Sequence, residues 1–249
     1  MNIRNFRDLK GYVNNEGRKL KGNQIFRGGA LNELSKEDMQ YFSQQLNIKH
    51  VLDFRDEKEA SLACDKMMDG VSHERISALI VKNHDEHGFD MGSMLQGQMT
   101  KEKKDLILAY VIEGYKNMTF NNSAYHQLFE RLLENDGGVY FHCTAGKDRT
   151  GVACFLIMKS LGMNDEDCLK EYLLSNELLK ESNEALCKKL NIPVSLISEC
   201  EPLLYVHKEY LDYTIQAIQE KYTTYEDFFF HEYNLTKEKL DLLKNYYLE

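Results

Sequence analysis

The stretch GGVYFHCTAGKDRTGVACFLIMKSLG, residues 137–162, joins two apolar runs through a short segment of small and charged residues. The first run, 137–143, has the length and the aromatic and β-branched content of a buried strand. The second, 148–162, predicts a helix that ends at Gly162, a residue type common just past a helix C-terminus. Cys143 therefore ends a strand, directly before a glycine-containing loop and a helix N-terminus.

Strand-like and helix-like stretches alternate through the first half of the chain, and the second half is helical. This alternation predicts an α/β fold with a mainly parallel central sheet, helices on both of its faces, and additional C-terminal helices. We expect a single domain over 1–249, with 81–120 a mobile loop or lid region and 164–249 a helical extension. The predicted strands are 23–31, 48–54, 71–80 and 137–143, and the predicted helices are 35–47, 56–67, 101–118, 122–135, 148–162, 164–176, 176–190, 203–222 and 236–248.

The composition narrows the possible functions. The chain has 249 residues and a formal net charge of −9, which disfavours nonspecific nucleic acid binding and means that an anionic ligand would need a local positive patch. None of the six cysteines forms a C-x-x-C pair, and no apolar segment approaches the ~20 residues of a membrane span. Residues 1–15 lack the apolar core of a signal peptide. We expect a cytoplasmic enzyme with reduced thiols and no stable membrane insertion, although secretion with a removed leader stays open.

The loop that starts at Cys143 has the composition of an anion site. The backbone N–H groups of Thr144, Ala145 and Gly146 can converge at the carboxyl end of a strand, where the following helix N-terminus adds partial positive charge. The alanine and the glycine keep the loop narrow enough for its backbone to approach a ligand. The same environment stabilises a thiolate, which would place a nucleophile beneath a bound tetrahedral anion.

Side chains that follow Cys143 complete this pattern. Arg149, six residues later, can return over the loop as a planar fork for two phosphate oxygens. Lys147 adds a second cation, and Thr150 can donate its hydroxyl to a departing thiolate. A cysteine after an apolar strand is usually a small core residue, but glycine, lysine and arginine at these offsets favour a phosphate site.

The segment HCTAGKDRTG, residues 142–151, resembles the active-site loop HCxAGKDRTG of the atypical bacterial tyrosine phosphatases. Three other segments resemble further motifs of the same family, namely NFRDLKGY at 5–12, FRGGAL at 26–31 and VLDFRDEKE at 51–59. That family accepts phosphotyrosine, phosphoserine/threonine and phosphoinositides. The resemblance implies a cysteine-dependent phosphatase with a phosphocysteine intermediate, no metal and no cofactor, whose partner is a phosphorylated protein or a phosphoinositide.

The resemblance also implies roles for three residues: Cys143 as the nucleophile, Arg149 as the phosphate-binding arginine and Asp148 as general acid and base. Tyrosine phosphatases with an acid on a mobile loop use a Trp-Pro-Asp segment, which this chain cannot form because it has no tryptophan. That absence favours Asp148, although its two cationic neighbours should favour its ionised form, which suits a base better than an acid. The alternatives for the acid are Asp53, Asp56, Asp85 and Asp90.

Other polar residues near these motifs receive structural interpretations. We expect the His142 side chain to point away from the loop and to orient it through hydrogen bonds. Arg7 and Arg27 are explained by salt bridges that pack the N-terminal segment onto the sheet. Asp53 and Arg55 lie near the predicted edge of the site and are possible site residues. The segment HDEHGFD, 84–90, has metal-capable side chains, but a solvated loop explains it better.

Three other functions use loops of similar composition. An NTPase fails on spacing, because a Walker loop would need glycine at position 141, which holds Phe141, and Ser or Thr at position 148, which holds Asp148. A sulfur-transfer or arsenate-reducing enzyme also uses a loop cysteine, but it would need a shorter loop or resolving cysteines. A catalytically weak phosphate-binding module stays as the non-enzymatic alternative.

Overall fold

Five strands form the central sheet of the computed structural model, which describes residues 1–79, 100–192 and 198–249. The order across the sheet is β1-β2-β5-β3-β4, and only β1, at one edge, runs antiparallel to its neighbour. Because the other four strands are parallel, their carboxyl ends meet at one edge of the sheet. The strands are β1 Arg7–Asp8, β2 Ile25–Gly28, β3 Ile48–Asp53, β4 Ser72–Arg75 and β5 Gly138–His142.

Helices cover both faces of this sheet, as the sequence predicted. Alternate side chains of β5 enter different cores: Tyr140 packs with Phe42 and Leu34 on one face, whereas Val139 and Phe141 join a larger core on the other. The helices are α1 Lys36–Gln40, α2 Glu57–Leu62, α3 Lys101–Asn117, α4 Ser123–Glu134, α5 Arg149–Ser160, α6 Asp165–Lys189, α7 Glu201–Leu204, α8 Lys208–Lys221, α9 Tyr225–Tyr233 and α10 Lys237–Tyr247.

Several helix boundaries differ from the predictions. Helix α1 continues as a π-helical turn over Tyr41–Gln45, and α2 ends five residues before its predicted end at 67. The two helices predicted at 164–176 and 176–190 are one helix, α6. The helix predicted at 203–222 is interrupted, because Asn176 bonds through its side chain to both the N–H and the carbonyl of Val206. These two bonds replace helical ones and let the chain turn between α7 and α8.

The predicted loop and lid region is described only in part. Residues 80–99 lie outside the described residues, so the first part of the predicted loop or lid region, including the segment 84–90, is not described. Helix α3 occupies most of the described part of this region, residues 100–120, and packs along α8. Among the helices of the described ranges, none has both the length and the apolar character that crossing a bilayer requires.

Candidate active site

Cys143 lies at the carboxyl end of β5, the central strand of the sheet, and α5 begins six residues later at Arg149. Its side chain lines a pocket, yet only 2% of the residue is exposed. A buried strand before it and a buried helix after it fix both ends of the loop 143–148, which we call the anion loop. The predicted junction of strand, loop and helix is therefore present.

Two carbonyl groups of the anion loop, those of Thr144 and Gly146, are bonded to the N-terminal part of the chain. The Thr144 carbonyl accepts a hydrogen bond from the Arg4 guanidinium at 3.2 Å. The Gly146 carbonyl accepts two, from Asn5 Nδ2 at 2.7 Å and from Arg27 at 2.8 Å. These bonds turn the carbonyl oxygens away from Cys143 and toward the rest of the protein.

The backbone N–H groups of the same loop have no such partners. Within residues 1–79, 100–192 and 198–249, no group accepts a hydrogen bond from the N–H groups of residues 144–148. Gly146 permits this conformation, since its φ is +69° and a Cβ there would lie 2.1 Å from the Gly28 carbonyl oxygen. A run of unbonded amides beside a helix N-terminus is a binding site for an anion.

A buried ion-pair network supports the loop from behind. Glu171 of α6 accepts hydrogen bonds from Arg7 and Arg27, each at 2.6 Å, and from the Cys154 thiol at 3.1 Å. Burial raises the pKa of Glu171, but the charges of Arg27 and Arg7 more than offset this and hold the pKa below its ordinary value. The predicted salt bridges of Arg7 and Arg27 therefore exist, and their partner belongs to α6.

Arg149 is paired with a carboxylate that the sequence analysis did not single out. Its two terminal nitrogens donate to the two oxygens of Glu59 at 2.5 and 2.6 Å, and Thr144 Oγ1 donates to the same carboxylate at 2.9 Å. Burial raises the pKa of Glu59, yet the bonds from Arg149 and Thr144 outweigh burial and lower it. The guanidinium is thereby fixed in orientation beside Cys143.

Lys147 and Asp148 form a second ion pair at the pocket. Lys147 Nζ lies 2.9 and 2.7 Å from the two carboxylate oxygens of Asp148. The Tyr115 hydroxyl donates to Oδ1 of the same carboxylate at 2.8 Å. The Asp148 side chain is 31% exposed and reaches the pocket, whereas that of Lys147 is 5% exposed.

Thr150 follows Arg149 in the first turn of α5. Its Oγ1 is buried and has no hydrogen-bond partner among the described residues. Tyr125 donates its hydroxyl to the Arg149 carbonyl at 2.7 Å and so fixes the start of the helix from α4. A buried hydroxyl without a partner is costly unless a ligand or a reacting group uses it.

His142, Asp53 and Arg55 lie outside the lining of the pocket. His142 Nδ1 is 3.1 Å from the Cys143 carbonyl oxygen, so this side chain contacts the loop backbone as predicted. Arg55 forms a two-pronged pair with Asp53 at 2.8 Å and a further ion pair with Asp65 at 2.9 Å. Asp53, Asp65 and His142 could offer three ligand atoms to a metal ion, but Arg55 already supplies positive charge to both carboxylates.

The pocket above Cys143 has a volume of about 330 Å³. Side chains of α3, including Tyr110 and Val111, form one wall with Met118, the residue that follows this helix, and the end of α6 contributes Leu186 together with the following Leu190. The pocket therefore combines a cationic floor with largely apolar sides. A phosphate ester with an apolar or aromatic group matches this combination of surfaces.

Most of the predicted site residues come together in this pocket. Its lining includes Cys143, Thr144, Ala145, Lys147, Asp148 and Arg149. Of the alternative acids, Asp53 is bound to Arg55, and Asp56 caps α2 through a bond from the Glu59 N–H; Asp85 and Asp90 lie outside the described residues.

Glu59 and Tyr115 are site residues that the sequence did not predict. Glu59 belongs to a capping box with Asp56, a recognisable signal that predicts a helix start and gives no indication of contact with Arg149. Tyr115 is one of many apolar positions on α3, and no local pattern separates it from the others.

The chain is similar to several known proteins. "Putative tyrosine-protein phosphatase H16_A0669" of Cupriavidus necator is 29% identical over 217 residues, covering 87% of this chain and 76% of that protein. "Triple specificity protein phosphatase PtpB" of Mycobacterium tuberculosis is 24% identical over 251 residues, covering 88% and 87%. The crystal structure of P. aeruginosa TpbA in complex with pTyr covers 62% of this chain and 70% of its own, with 15% identity and a TM-score of 0.31, which is too low to bear on the fold. The profile of the tyrosine phosphatase family matches residues 1–249, and the chain belongs to that family.

Proposed function

We propose that this cysteine-dependent phosphatase hydrolyses phosphotyrosine and other aryl phosphates through a phosphocysteine formed on Cys143. The observation that carries the proposal is the orientation of the anion loop. The Thr144 and Gly146 carbonyls are bonded to the N-terminal part of the chain, while the N–H groups of residues 144–148 have no acceptor in the described part of the chain. A phosphate dianion would satisfy these donors directly above the sulfur.

In the first step the Cys143 thiolate attacks phosphorus, an S–P bond forms and the bond to the leaving oxygen breaks. The loop amides and Arg149 bind the non-bridging oxygens, whose charge is spread over them in the transition state. Asp148, in its protonated form, gives its proton to the leaving oxygen. The carboxylate then remains at the pocket for the second step.

In the second step a water molecule attacks the phosphocysteine. Asp148 accepts a proton from this water as the new O–P bond forms and the S–P bond breaks. The electron pair of the breaking bond returns to sulfur, and the unpartnered Thr150 hydroxyl is available to stabilise the departing thiolate. The step releases phosphate and regenerates the enzyme.

The pocket supports a preference among substrates. Apolar side chains of α3 and α6 suit the ring of phosphotyrosine, which a phosphoserine would leave uncovered. Lys147 adds positive charge that suits multiply phosphorylated headgroups, and the M. tuberculosis relative is named for triple specificity. We therefore propose phosphotyrosine as the best substrate, with weaker activity toward phosphoserine/threonine or phosphoinositides.

Turnover of an aryl phosphate by matched variants tests this proposal. Cys143→Ser should abolish turnover, whereas Cys64→Ser, at an exposed position that is not part of the pocket lining, should retain it. Asp148→Asn should lower kcat by about 100-fold or more, with little loss of phosphate affinity. Persistent turnover in Cys143→Ser would overturn the covalent mechanism. Tight vanadate binding by the wild type without hydrolysis would instead support a phosphate-binding module.

A substrate panel tests the preference. Phosphotyrosine peptides, phosphoserine peptides and short-chain phosphoinositides are compared by kcat/KM with the wild-type protein. We expect the phosphotyrosine peptides to give the highest value. Inert phosphotyrosine peptides beside an active phosphoinositide would overturn the ranking while leaving the covalent mechanism intact.

A further inference from the structure

Asp148 occupies the N-cap position of α5, yet its side chain does not cap the helix. Aspartate is among the best N-cap residues, and the bond it makes to the first turn is worth about 1 kcal/mol. Asp56 and Asn164 make such bonds at the starts of α2 and α6, both with extended backbone. Asp148 instead has φ −81° and ψ −78°, and its carboxylate bonds to other groups. The Asp148 carboxylate therefore does not cap the helix, although it stands at the N-cap position.

Two donors hold the carboxylate in place. One is Lys147, its neighbour in the loop, and the other is Tyr115, which comes from α3, 33 positions earlier in the chain. The Tyr115 hydroxyl lies 2.8 Å from Asp148 Oδ1. Because an ionised carboxylate can only accept, the phenol must donate this bond.

Tyr115 is itself fixed by two other helices. Its hydroxyl lies 2.6 Å from that of Tyr172 on α6, and since Tyr115 donates to Asp148, Tyr172 must donate to Tyr115. Its ring packs against Tyr210 of α8 at 5.5 Å, and its carbonyl accepts a bond from Thr214 at 2.8 Å. Burial, followed by the nearby charge of Asp148, raises the pKa of Tyr115 well above its ordinary value, so the donor keeps its proton at neutral pH.

We propose that Tyr115 is a positioning residue that holds the Asp148 carboxylate over Cys143 for both proton transfers. This inference rests on the proposed function, because it assigns Asp148 the proton given to the leaving oxygen and then taken from water. Lys147 alone leaves the carboxylate free to rotate about one flexible side chain. The phenol adds a second, rigid anchor from a different helix, which fixes the direction in which the carboxyl group points.

Tyr115→Phe removes the donor and keeps the ring. The assay is kcat/KM for a series of aryl phosphates whose leaving phenols range from acidic, such as 4-nitrophenol, to weakly acidic, such as phenol. A poor leaving group depends most on protonation, so we expect Tyr115→Phe to lower kcat/KM about 10-fold for phenyl phosphate and much less for 4-nitrophenyl phosphate. Equal losses across the series would overturn the proposal, because a general distortion of the pocket acts on every substrate.

A double-mutant cycle identifies the residue through which Tyr115 acts. If Tyr115 acts through Asp148, Tyr115→Phe combined with Asp148→Asn should be no slower than Asp148→Asn alone, to within about 2-fold. An undiminished further loss in the double variant overturns the positioning role. Wild-type rates in Asp148→Asn overturn both this role and the assigned proton carrier, whereas turnover by Cys143→Ser overturns the covalent mechanism itself.

Tyr247→Phe is the matched control for loss of a buried hydroxyl. Tyr247 is 1% exposed, like Tyr115, and donates to the Leu132 carbonyl at 2.7 Å, outside the pocket. We expect this variant to keep wild-type kinetics.

If Tyr115→Phe does not fold, Tyr172→Phe takes its place, since it removes only the bond donated to Tyr115. It should show a smaller loss with the same dependence on the leaving group, and a uniform loss would overturn the proposal.

Discussion

Glu171→Gln should destabilise the protein strongly, because it removes the charge that compensates two buried arginines. The Glu171 and Arg27 side chains are 1% and 0% exposed, and that of Arg7 is 10% exposed. Removing one partner of a buried ion pair costs about 3–5 kcal/mol. Glutamine keeps the shape and one carbonyl oxygen, and Arg7 keeps some access to water, so we expect a loss near the lower value, about 3 kcal/mol.

Thermal and urea unfolding monitored by circular dichroism measure this loss. For a chain of this size each kcal/mol shifts Tm by about 2–4 °C, so Tm should fall by about 6–12 °C. Glu177→Gln, at an exposed position on the same helix, should change the free energy of unfolding by less than about 0.5 kcal/mol. A Tm for Glu171→Gln within about 2 °C of the wild type would refute the reasoning, since the arginines would then need no carboxylate.

Three other perturbations have defined outcomes. Gly146→Ala should lower kcat/KM about 100-fold or more, because its Cβ overlaps backbone that no side-chain rotation can move. Gly70→Ala, also at positive φ but in open space, should retain activity. Equal losses in both variants would contradict steric overlap as the cause. Glu59→Gln should lower kcat/KM about 10-fold because Arg149 loses its fixed orientation; an unchanged value would count against this. The pKa of Glu171 is lowered from its ordinary value of 4.5, so its stabilisation is present above that pH and is lost as the pH falls below it. The Tm difference between wild type and Glu171→Gln should therefore shrink below about pH 4.5, and a constant difference down to pH 3 would oppose this assignment.

Much of the fold could be predicted from the pattern of neighbouring residues in the sequence. The apolar run 138–142 and the capped starts of the helices are properties of neighbouring residues, so strands β2–β5 and most helices could be predicted from short windows. The break between α7 and α8 could not. It depends on Asn176, whose side chain bonds the backbone of Val206, 30 residues away in the chain.

The same distinction applies to the site. Consecutive positions from Cys143 to Thr150 carry the motif of this site, and their spacing alone indicates a phosphate-binding loop. The residues that orient this loop come from distant segments, as Glu59 does for Arg149 and Tyr115 does for Asp148. A helical pattern predicts that such residues lie on a helix, but it does not say what each side chain faces, because that depends on how the helices pack.

The ion pairs near this site are of two kinds, those buried in the protein interior and those whose carboxylates line the pocket. Arg27 and Arg55 are neutralised in the protein interior, where separating a pair would leave an uncompensated buried charge. Arg149 and Lys147 are paired with the carboxylates of Glu59 and Asp148, which line the pocket and are 21% and 31% exposed. A phosphate ester that approaches Cys143 therefore meets the second kind of pair, together with Arg4, which also lines the pocket. As its oxygens attract Lys147, the Asp148 carboxylate loses part of its ionic partner but keeps the bond from Tyr115, so its orientation does not depend on Lys147 alone.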